Sequence, residues 1–225
     1  MRMGSGPRQL ALSLDHAESF AREDFLSGPS NASALALIES WPDWPNRSVA
    51  LVGPEGSGKS HLAAIWAAEG GARFLAARAL ATTSLPAALA TGALVVEDLS
   101  VGAFDERALF HLLNLAREEQ AFLLLTARTP PAGWTLAIRD VASRLKALPV
   151  VAMSAPDDAL LRALLVKLFA DRQLNVDESL IGYVATRIER SFAAARAVVA
   201  RLDQEAMQLK RPLTRALAAE LLREA

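Results

Sequence analysis

Residues 53–60 read Gly-Pro-Glu-Gly-Ser-Gly-Lys-Ser, and this stretch decides which fold the chain can adopt. It fits the pattern G-x-x-x-x-G-K-[ST] of a phosphate-binding loop at every fixed position. Glycine lets the backbone curl so that successive N–H groups converge on phosphate oxygens. Lys59 can reach the β- and γ-phosphates, and the Ser60 hydroxyl is a ligand for Mg²⁺. The stretch therefore predicts a binding site for nucleotide phosphates.

The residues on either side of this loop have the pattern that such a loop requires. Residues 47–52 form a short apolar run typical of a strand, and residues 60–69 form a helix-favouring run. A helix that begins at the loop places the positive end of its dipole beneath the phosphates. The residues predicted to contact ATP or ADP here are Gly53, Pro54, Glu55, Gly56, Ser57, Gly58, Lys59, Ser60 and His61.

Strand-like and helix-like patterns alternate from residue 48 to residue 153. The helical stretch Glu106–Glu119, for example, places Leu109, Leu112 and Leu113 on one face. Short, unbroken apolar runs are typical of a parallel sheet that is buried on both faces. We therefore predict an α/β domain with a five-stranded, doubly wound parallel sheet and helices on both faces. The predicted strands are Val49–Val52, Arg73–Ala76, Ala93–Glu97, Phe122–Thr126 and Pro149–Met153.

The pattern changes after Met153, where strand-like runs stop. Ser154-Ala-Pro-Asp157 has the features of a helix start, with a capping serine, an early proline and an acid three residues on. Leucines then recur at helical spacing, and three more helical segments follow near 177–188, 191–209 and 214–224. These helices either form a separate lid domain or cover the sheet, and the lack of intervening strands favours the lid. The predicted divisions are a flexible tail at 1–20, a nucleotide-binding α/β domain at 21–153 and an all-helical lid domain at 154–225.

Composition excludes several classes of protein. The 225 residues include no cysteine, which excludes disulfides and thiolate metal sites. The formal net charge of −1 argues against a broad electrostatic grip on nucleic acid, so direct DNA binding is expected to be weak or absent. The chain lacks an apolar run of membrane-spanning length and a signal-peptide pattern at its N-terminus. We expect a cytoplasmic protein without membrane contact.

A phosphate loop needs an acidic group at the end of a neighbouring strand, and residues 93–99, Ala-Leu-Val-Val-Glu-Asp-Leu, provide two. Successive side chains of a strand point to opposite faces, so Glu97 and Asp98 cannot do the same work. We assign Glu97 to Mg²⁺, through water, together with Ser60. Asp98 is assigned to positioning the attacking water, and its short side chain predicts slow unaided hydrolysis. The alternative is that the acidic pair simply ends the strand.

With these features the chain resembles the AAA+ ATPases, and among them the DnaA initiator clade, over nearly its whole length. Residues 25–31, Phe-Leu-Ser-Gly-Pro-Ser-Asn, resemble the segment that surrounds adenine in this clade, which implies a nucleotide contact for Asn31. Residues 123–131 resemble the sensor-1 strand and its exit, which implies a nucleotide-binding role for Thr126. The resemblance implies the AAA+ fold and ATP or ADP with Mg²⁺ as ligands.

Residues 140–145, Asp-Val-Ala-Ser-Arg-Leu, resemble the box VII stretch that carries the arginine finger in this clade. Such a finger stabilises charge on the transferred phosphoryl group and raises turnover by about 10³–10⁵. In AAA+ assemblies the finger acts across an interface, so the resemblance implies that Arg144 completes the active site of another subunit. The alternative is a surface arginine that contributes little by itself.

Two positions depart from the pattern of the clade. Arg128, just after sensor 1, stands where these relatives often have aspartate. Residues 188–197 lie where sensor 2 is expected, yet the position of the sensor-2 arginine falls on Ala193. Either Arg190 or Arg196, one turn to each side, substitutes for it, or the protein holds ADP more readily than ATP.

Residues 9–14 read Gln-Leu-Ala-Leu-Ser-Leu and resemble the peptide by which a regulatory member of the DnaA clade binds the sliding clamp, the β subunit of DNA polymerase. In an extended segment Leu10, Leu12 and Leu14 share one side, while Gln9 makes directional hydrogen bonds. The resemblance therefore implies a clamp-binding tail. A loose tail or an edge strand is the alternative.

The resemblance as a whole implies a regulator of replication initiation and leaves a homodimer open. Such a protein would be a weak ATPase that docks on the clamp and presents Arg144 to the ATP-bound DnaA initiator. The alternative is a helicase or transposase loader of the AAA+ type, which the near-neutral charge and the lack of interleaved aromatic and basic residues disfavour. A small-molecule kinase is disfavoured because no acceptor-binding insertion interrupts the core. An origin-binding initiator is disfavoured because no helix-turn-helix segment follows the lid.

Overall fold

A sheet of five parallel strands forms the centre of the protein, as the sequence predicts. The strands are β1 (Ser48–Val52), β2 (Arg73–Ala76), β3 (Ala93–Leu99), β4 (Phe122–Ala127) and β5 (Val150–Ala152). Their order in the sheet is β2-β3-β4-β1-β5, so β1 lies between β4 and β5. Each predicted strand is confirmed, with ends that differ from the prediction by at most two residues.

The structure is a computed structural model, and it describes residues 20–222. Gln9, Leu10, Leu12 and Leu14 lie outside the described residues, so their binding role stays a prediction. Because the strands are parallel, the carboxyl ends of β1, β3 and β4 lie at the same edge of the sheet. The phosphate loop follows β1, the acidic pair lies near the carboxyl end of β3, and Thr126 lies near the end of β4. The topology therefore brings these three sequence features together.

Helices cover the sheet and continue after its last strand. They are α1 (Ala32–Glu39), α2 (Lys59–Gly70), α3 (Leu85–Leu89), α4 (Glu106–Glu118), α5 (Arg139–Ala147), α6 (Asp158–Asp171), α7 (Glu178–Ala185), α8 (Phe192–Leu209) and α9 (Arg215–Leu221). Short 3₁₀ helices at Arg22–Asp24, Ala77–Thr82 and Pro131–Gly133 lie in the connections. Within residues 20–222, none of the helices combines the length and the apolar character that crossing a bilayer requires.

Apolar side chains on the two faces of the sheet belong to two separate cores. Leu94 and Val96 of β3 pack on the face covered by α4 and α5. Val95, between them in the chain, packs on the opposite face, where α2 contributes the fully buried Trp66. Successive residues of a strand point to opposite faces, so a strand buried on both sides must be apolar throughout. This explains the unbroken apolar runs in the sequence.

The four C-terminal helices α6–α9, called the lid helices below, bury their apolar faces against one another around Leu165, Phe169, Leu202 and Leu217. Helix α6 begins at Asp158, and its cap differs from the predicted one.

Asp157, and not Ser154, caps α6, because the Asp157 side chain accepts a hydrogen bond from the Leu160 N–H (2.8 Å). The Ser154 N–H instead donates to the carbonyl of Ser30 (3.1 Å). The prediction of a capping Ser154 is therefore wrong. Pro156 explains the difference, because it disfavours helical backbone at Ala155, the residue that would follow a capping Ser154.

Candidate nucleotide-binding site

The phosphate loop, residues 53–60, makes a sharp turn between β1 and α2. The Gly53 N–H donates to the carbonyl of Ala127 (3.1 Å), which ties the start of the loop to β4. A side chain at Gly53 would begin only 2.5 Å from the carbonyl oxygen of Met153, so the close approach requires glycine. Gly56 has a φ of +69°, in the left-handed region that glycine adopts without strain. The glycines of the motif are therefore required by the geometry of this turn.

The Lys59 side chain folds back over the loop and is only 8% exposed. Its ammonium donates to the carbonyl oxygens of Gly53 (2.8 Å) and Pro54 (2.7 Å). Burial lowers the pKa of Lys59 below its ordinary value; the charge of Asp98 opposes this shift, and that of Arg128 adds to it. A phosphate placed beside this ammonium would favour its charged form, because an opposite charge nearby offsets the cost of burial.

Asp98 reaches the loop from an irregular end of β3. The register between β3 and β4 shifts between Val96 and Leu99, and Asp98 has a φ of +58°. Its backbone N–H donates to Oγ1 of the buried Thr126 (3.1 Å). A non-glycine residue in this conformation is uncommon, and such residues cluster at functional sites. Thr126 thus positions Asp98, whose side chain lines the same cleft as Lys59.

Glu97 takes a different position from its neighbour. It is half-buried, it lies opposite Ala76 of β2, and it is not among the described residues that line the cleft. Of the acidic pair, the residue that lines the cleft is Asp98. The assignment of Glu97 to Mg²⁺ stays a prediction.

The donor set at the loop fits Mg²⁺. Ser60 and Asp98 both line the cleft, and hydroxyl and carboxylate oxygens are the ligands this ion prefers. Within residues 20–222 no cluster of three or more metal-ligating side chains is present. Mg²⁺ typically keeps several waters and is held by one or two protein groups plus substrate phosphates, so it does not need such a cluster.

The loop opens into a cleft of about 320 Å³ with an apolar wall formed by Phe25, Leu26, Leu164 and Phe192. An apolar wall with a few polar groups at one end is the usual design of a small-molecule site. The sequence resemblance identified only the segment that contains Phe25 and Leu26. Leu164 and Phe192 come from the lid helices, where their helical spacing indicates core residues. Sequence periodicity cannot separate a residue that faces a cleft from one that faces the core.

Asn31 is buried just before α1, and it shapes the turn that forms part of this wall. Its Oδ1 accepts a hydrogen bond from the Gly28 N–H (2.8 Å), and its Nδ2 donates to the carbonyl of Leu26 (3.0 Å). These two bonds fold the turn that presents Phe25 and Leu26 to the cleft. A direct contact between Asn31 and nucleotide stays a prediction.

His61 lines the cleft and is also buried. Its ring contacts Phe20 and Phe25 edge-on, with centroids 5.4 and 5.2 Å away. Its Nε2 lies 3.1 Å from the carbonyl oxygen of Ala21. The residue therefore packs the aromatic side of the cleft, and its nucleotide contact stays a prediction.

The N-terminus of α8 closes directly on the phosphate loop. The Phe192 N–H donates to the carbonyl of Gly56 (2.9 Å). Ser191 is buried, and its hydroxyl caps α8 by accepting a hydrogen bond from the Ala194 N–H (3.0 Å). Ala193, where the resemblance places the sensor-2 arginine, lies against the same part of the loop. The lid therefore meets the loop through a serine and a methyl group.

Three arginines lie in different places. Two of them flank the predicted sensor-2 position, and the third follows the predicted sensor-1 strand. Arg190 pairs with Asp158 on the surface (2.9 Å) and does not line the cleft. Arg196 lines the cleft, with Nη2 3.3 Å from Nδ1 of His61. Arg128 also lines the cleft, and its Nη2 lies 2.7 Å from Oε2 of Glu55 on the phosphate loop.

The contact between loop and lid predicts the effect of Gly56→Ala. A Cβ at Gly56 would lie 2.7 Å from the Ser191 Cβ, and the backbone there has a positive φ. We expect unfolding free energy to fall by about 1–3 kcal/mol, because the variant adds a clash to the backbone strain. Urea unfolding monitored by circular dichroism measures this change.

Gly102→Ala is the matched control for that measurement. Gly102 also has a positive φ, +79°, but nothing lies within 4 Å of an added Cβ. It therefore carries the backbone strain without the clash. Equal losses of stability in the two variants would contradict a tight contact between the lid and the loop.

Arg144 lies far from the cleft, in the last turn of α5. It lines a groove of about 460 Å³ together with Ser48 and Ala121, at the amino ends of β1 and β4. The five residues of β1 span about 16 Å at 3.3 Å per residue, so Arg144 and the phosphate loop lie at opposite edges of the sheet. Its guanidinium pairs with Asp140 (2.9 Å) and lies 5.4 Å from the centre of the Phe110 ring.

Solved structures share this arrangement of sheet and helices. Domain III of the Thermotoga maritima replication initiation protein DnaA matches with a TM-score of 0.76 at 16% identity, over 91% of this chain and 96% of that domain. AMPPCP-bound DnaA from Aquifex aeolicus matches with a TM-score of 0.67 at 15% identity, over 84% of this chain and 66% of that chain. The Thermotoga maritima RuvB Holliday junction branch migration motor matches with a TM-score of 0.69 at 15% identity, over 91% of this chain and 72% of that chain.

Sequence comparison adds no family to these structural matches: no family model matches the chain, and no curated protein matches it significantly. The TM-scores of these matches show a common fold, while identities of 15–16% show nothing beyond the fold. The five-stranded parallel sheet and the C-terminal helices match that fold. The chain therefore has the AAA+ fold that DnaA domain III and RuvB share.

Proposed function

We propose that the protein is a DnaA-related regulator of replication initiation, of the Hda type, that binds adenine nucleotide and promotes hydrolysis of DnaA-bound ATP. The observation that carries the proposal is the separation of its two predicted sites. The phosphate loop faces a cleft beneath the lid helices, while Arg144 is exposed to a groove at the opposite edge of the sheet. The fold shared with DnaA domain III supports the proposal.

The cleft suits an adenine nucleotide with Mg²⁺. Its apolar wall suits a base, and its polar end offers the loop amides, Lys59 and Ser60 to phosphate oxygens. The match to AMPPCP-bound DnaA supports a nucleotide of this class. Ser60 would hold Mg²⁺, with Glu97 acting through water, and the ion would neutralise charge on the phosphates. Asp98, which lines the cleft, would position the attacking water.

Arg144 is proposed to act on the nucleotide of DnaA rather than on its own. A guanidinium stabilises charge that develops on the transferred phosphoryl group only when it lies beside that group. Arg144 is separated from its own loop by the length of β1, yet its side chain is 31% exposed and available to a neighbour. The Asp140 carboxylate and the Phe110 ring hold it in a defined position before a partner binds.

The tail residues Gln9, Leu10, Leu12 and Leu14 are proposed to bind the sliding clamp, which brings the protein to replicating DNA. We expect the double variant Gln9→Ala, Leu10→Ala to lose retention on immobilised clamp, because it removes both the directional hydrogen bonds and one apolar anchor. Surface plasmon resonance measures this binding. The variant Arg8→Ala, next to the motif, is the control, and unchanged binding by the double variant would contradict the tail proposal.

The whole proposal is tested by reconstitution. DnaA loaded with radiolabelled ATP is mixed with this protein, with and without clamp loaded on DNA, and the conversion of bound ATP to ADP is followed. We expect conversion to accelerate only when protein and loaded clamp are both present. No acceleration over DnaA alone, with a protein that binds nucleotide and clamp, would refute the regulatory function.

A loader-type AAA+ ATPase that assembles with copies of itself is the second candidate. The position of Arg144 favours it equally, because the same exposed arginine could complete the site of an identical neighbour. Gel filtration with AMPPCP and single-stranded DNA separates the two functions. A nucleotide-dependent oligomer of this chain alone would favour the loader, whereas a species that stays small would favour the regulator.

A further inference from the structure

Arg128 faces the phosphate loop from the end of β4, one residue beyond the strand. The chain places β4 between β1, which leads into the loop, and β3, which ends at Asp98. Arg128 lines the cleft together with Lys59 and Asp98. Its charge also acts on Lys59, since it contributes to the lowered pKa of that side chain. This is the side of the cleft where the terminal phosphate of a nucleotide bound to the loop would lie.

The lid presents no arginine of its own at the corresponding point of the loop. Ser191 and Ala193 occupy the contact with Gly56. Arg190 is held by Asp158 outside the cleft. Arg196 lines the cleft on its aromatic side, over the Phe20 ring (5.6 Å from its centre) and 3.3 Å from His61. Among the described residues, a guanidinium at the loop itself is therefore supplied by β4 and not by the lid.

The partner of Arg128 is a weak and replaceable one. The pair with Glu55 is short, 2.7 Å, but both side chains are largely exposed, 64% and 76%. An ion pair this open to water contributes little to stability. A terminal phosphate is a stronger acceptor for a guanidinium than one exposed carboxylate, because it carries more negative charge. Arg128 can therefore leave Glu55 when a phosphate arrives.

We propose that Arg128 binds the terminal phosphate of a nucleoside triphosphate in this cleft, and that Glu55 holds it beside the loop until that phosphate arrives. This inference rests on the proposed nucleotide-binding function and adds to it a means of telling triphosphate from diphosphate. With a triphosphate bound, Arg128 contacts phosphate across the cleft. With a diphosphate bound, it remains paired with Glu55. The sheet thus senses the terminal phosphate through Arg128, while the lid carries Ala193 at the position where the resemblance places an arginine.

The test is isothermal titration of the full chain with AMPPCP and with ADP, each with Mg²⁺. AMPPCP is used because it is not hydrolysed. We expect Arg128→Ala to lower the affinity for AMPPCP by about tenfold or more and the affinity for ADP by less than about threefold. Arg128→Lys should lose part of the AMPPCP affinity, because an ammonium keeps the charge and lacks the planar fork. Glu55→Gln should bind AMPPCP more tightly than the unaltered chain, because it removes the carboxylate that competes with phosphate for Arg128.

Arg211→Ala is the matched control, because Arg211 pairs with Glu220 at 2.9 Å and both are about as exposed as Arg128 and Glu55. It should change neither affinity. Equal losses for AMPPCP and ADP in Arg128→Ala, or no loss for either, would overturn the proposal while leaving nucleotide binding intact. A loss of AMPPCP affinity in Glu55→Gln as large as that in Arg128→Ala would overturn the exchange between the two partners. If the unaltered chain binds neither ligand, the proposed nucleotide-binding function itself fails.

Discussion

Replacing Arg144 by alanine is expected to reduce the stimulated rate of ATP hydrolysis on DnaA by about 10³-fold or more, which is the usual effect of removing an arginine finger. The reconstituted assay with DNA-loaded clamp measures this rate. The reason is that the variant removes the one positive charge that the proposal places beside the phosphoryl group of the partner. Full stimulation by Arg144→Ala would contradict the finger role.

The same variant should fold and bind nucleotide normally. Arg144 forms an exposed ion pair with Asp140 four residues earlier in the same helix, and such pairs contribute only about 0.3–0.5 kcal/mol. Nucleotide binding should be unchanged because the phosphate loop lies at the other edge of the sheet. Lys146→Ala, which removes an exposed cation from the same last turn of α5, is the control for net charge and should keep full stimulation. Arg144→Lys should be strongly impaired, since lysine cannot present two parallel N–H donors.

Replacing Lys59 by alanine is expected to weaken binding of both ADP and AMPPCP by roughly 100-fold. The ammonium is the buried cation of the phosphate loop, and a charge-assisted bond to phosphate is stronger when water is excluded. Isothermal titration measures the loss. Lys146→Ala again serves as the control, because it removes a lysine remote from the cleft. Nucleotide affinity that survives in Lys59→Ala would contradict the assignment of the loop as the phosphate site.

The lowered pKa of Lys59 adds a dependence on pH with a definite sign. In the folded chain without ligand, Lys59 loses its proton at a lower pH than the ordinary lysine value of 10.5. The unfolded chain binds more protons in that interval, so this residue makes the folded state more stable as pH rises through it. A bound phosphate reverses the shift, because it favours the ammonium. Titrations in buffers of different ionisation enthalpy, on the alkaline side of neutrality, should therefore show proton uptake with nucleotide that is absent in Lys59→Ala.

Local sequence patterns were sufficient to predict the five strands and the change to helices after residue 153. The central strands were predictable because a strand buried on both faces is apolar throughout, as Leu94, Val95 and Val96 show. The edge strands β2 and β5 are partly exposed, and their apolar, β-favouring residues indicated them. The wrong cap at Ser154 and the unexpected extension of β3 to Leu99 both arise where the backbone leaves regular geometry. At Asp98 the positive φ depends on the bond to Thr126, a residue from another strand, so no local pattern reveals it.

The candidate site was predictable only in part for the same reason. The loop at 53–60 is a continuous segment with strict backbone requirements, and its pattern therefore appears in the sequence. Which carboxylate enters the cleft, and which arginine lies beside Lys59, depend on side chains from separate strands and helices. The pair of Arg128 with Glu55 and the contact of Ser191 with Gly56 join residues distant in the chain.

The amino-acid sequence by itself determined the phosphate loop, the alternation of strands and helices and the change to an all-helical end, because each of these depends on neighbouring residues and on backbone preference. Only the tertiary structure decided the strand order, the entry of Asp98 rather than Glu97 into the cleft, and the positions of Ala193 and Arg128 at the phosphate loop. These depend on how twisted strands and capped helices pack in three dimensions, where a displacement of one residue turns a side chain to the opposite face.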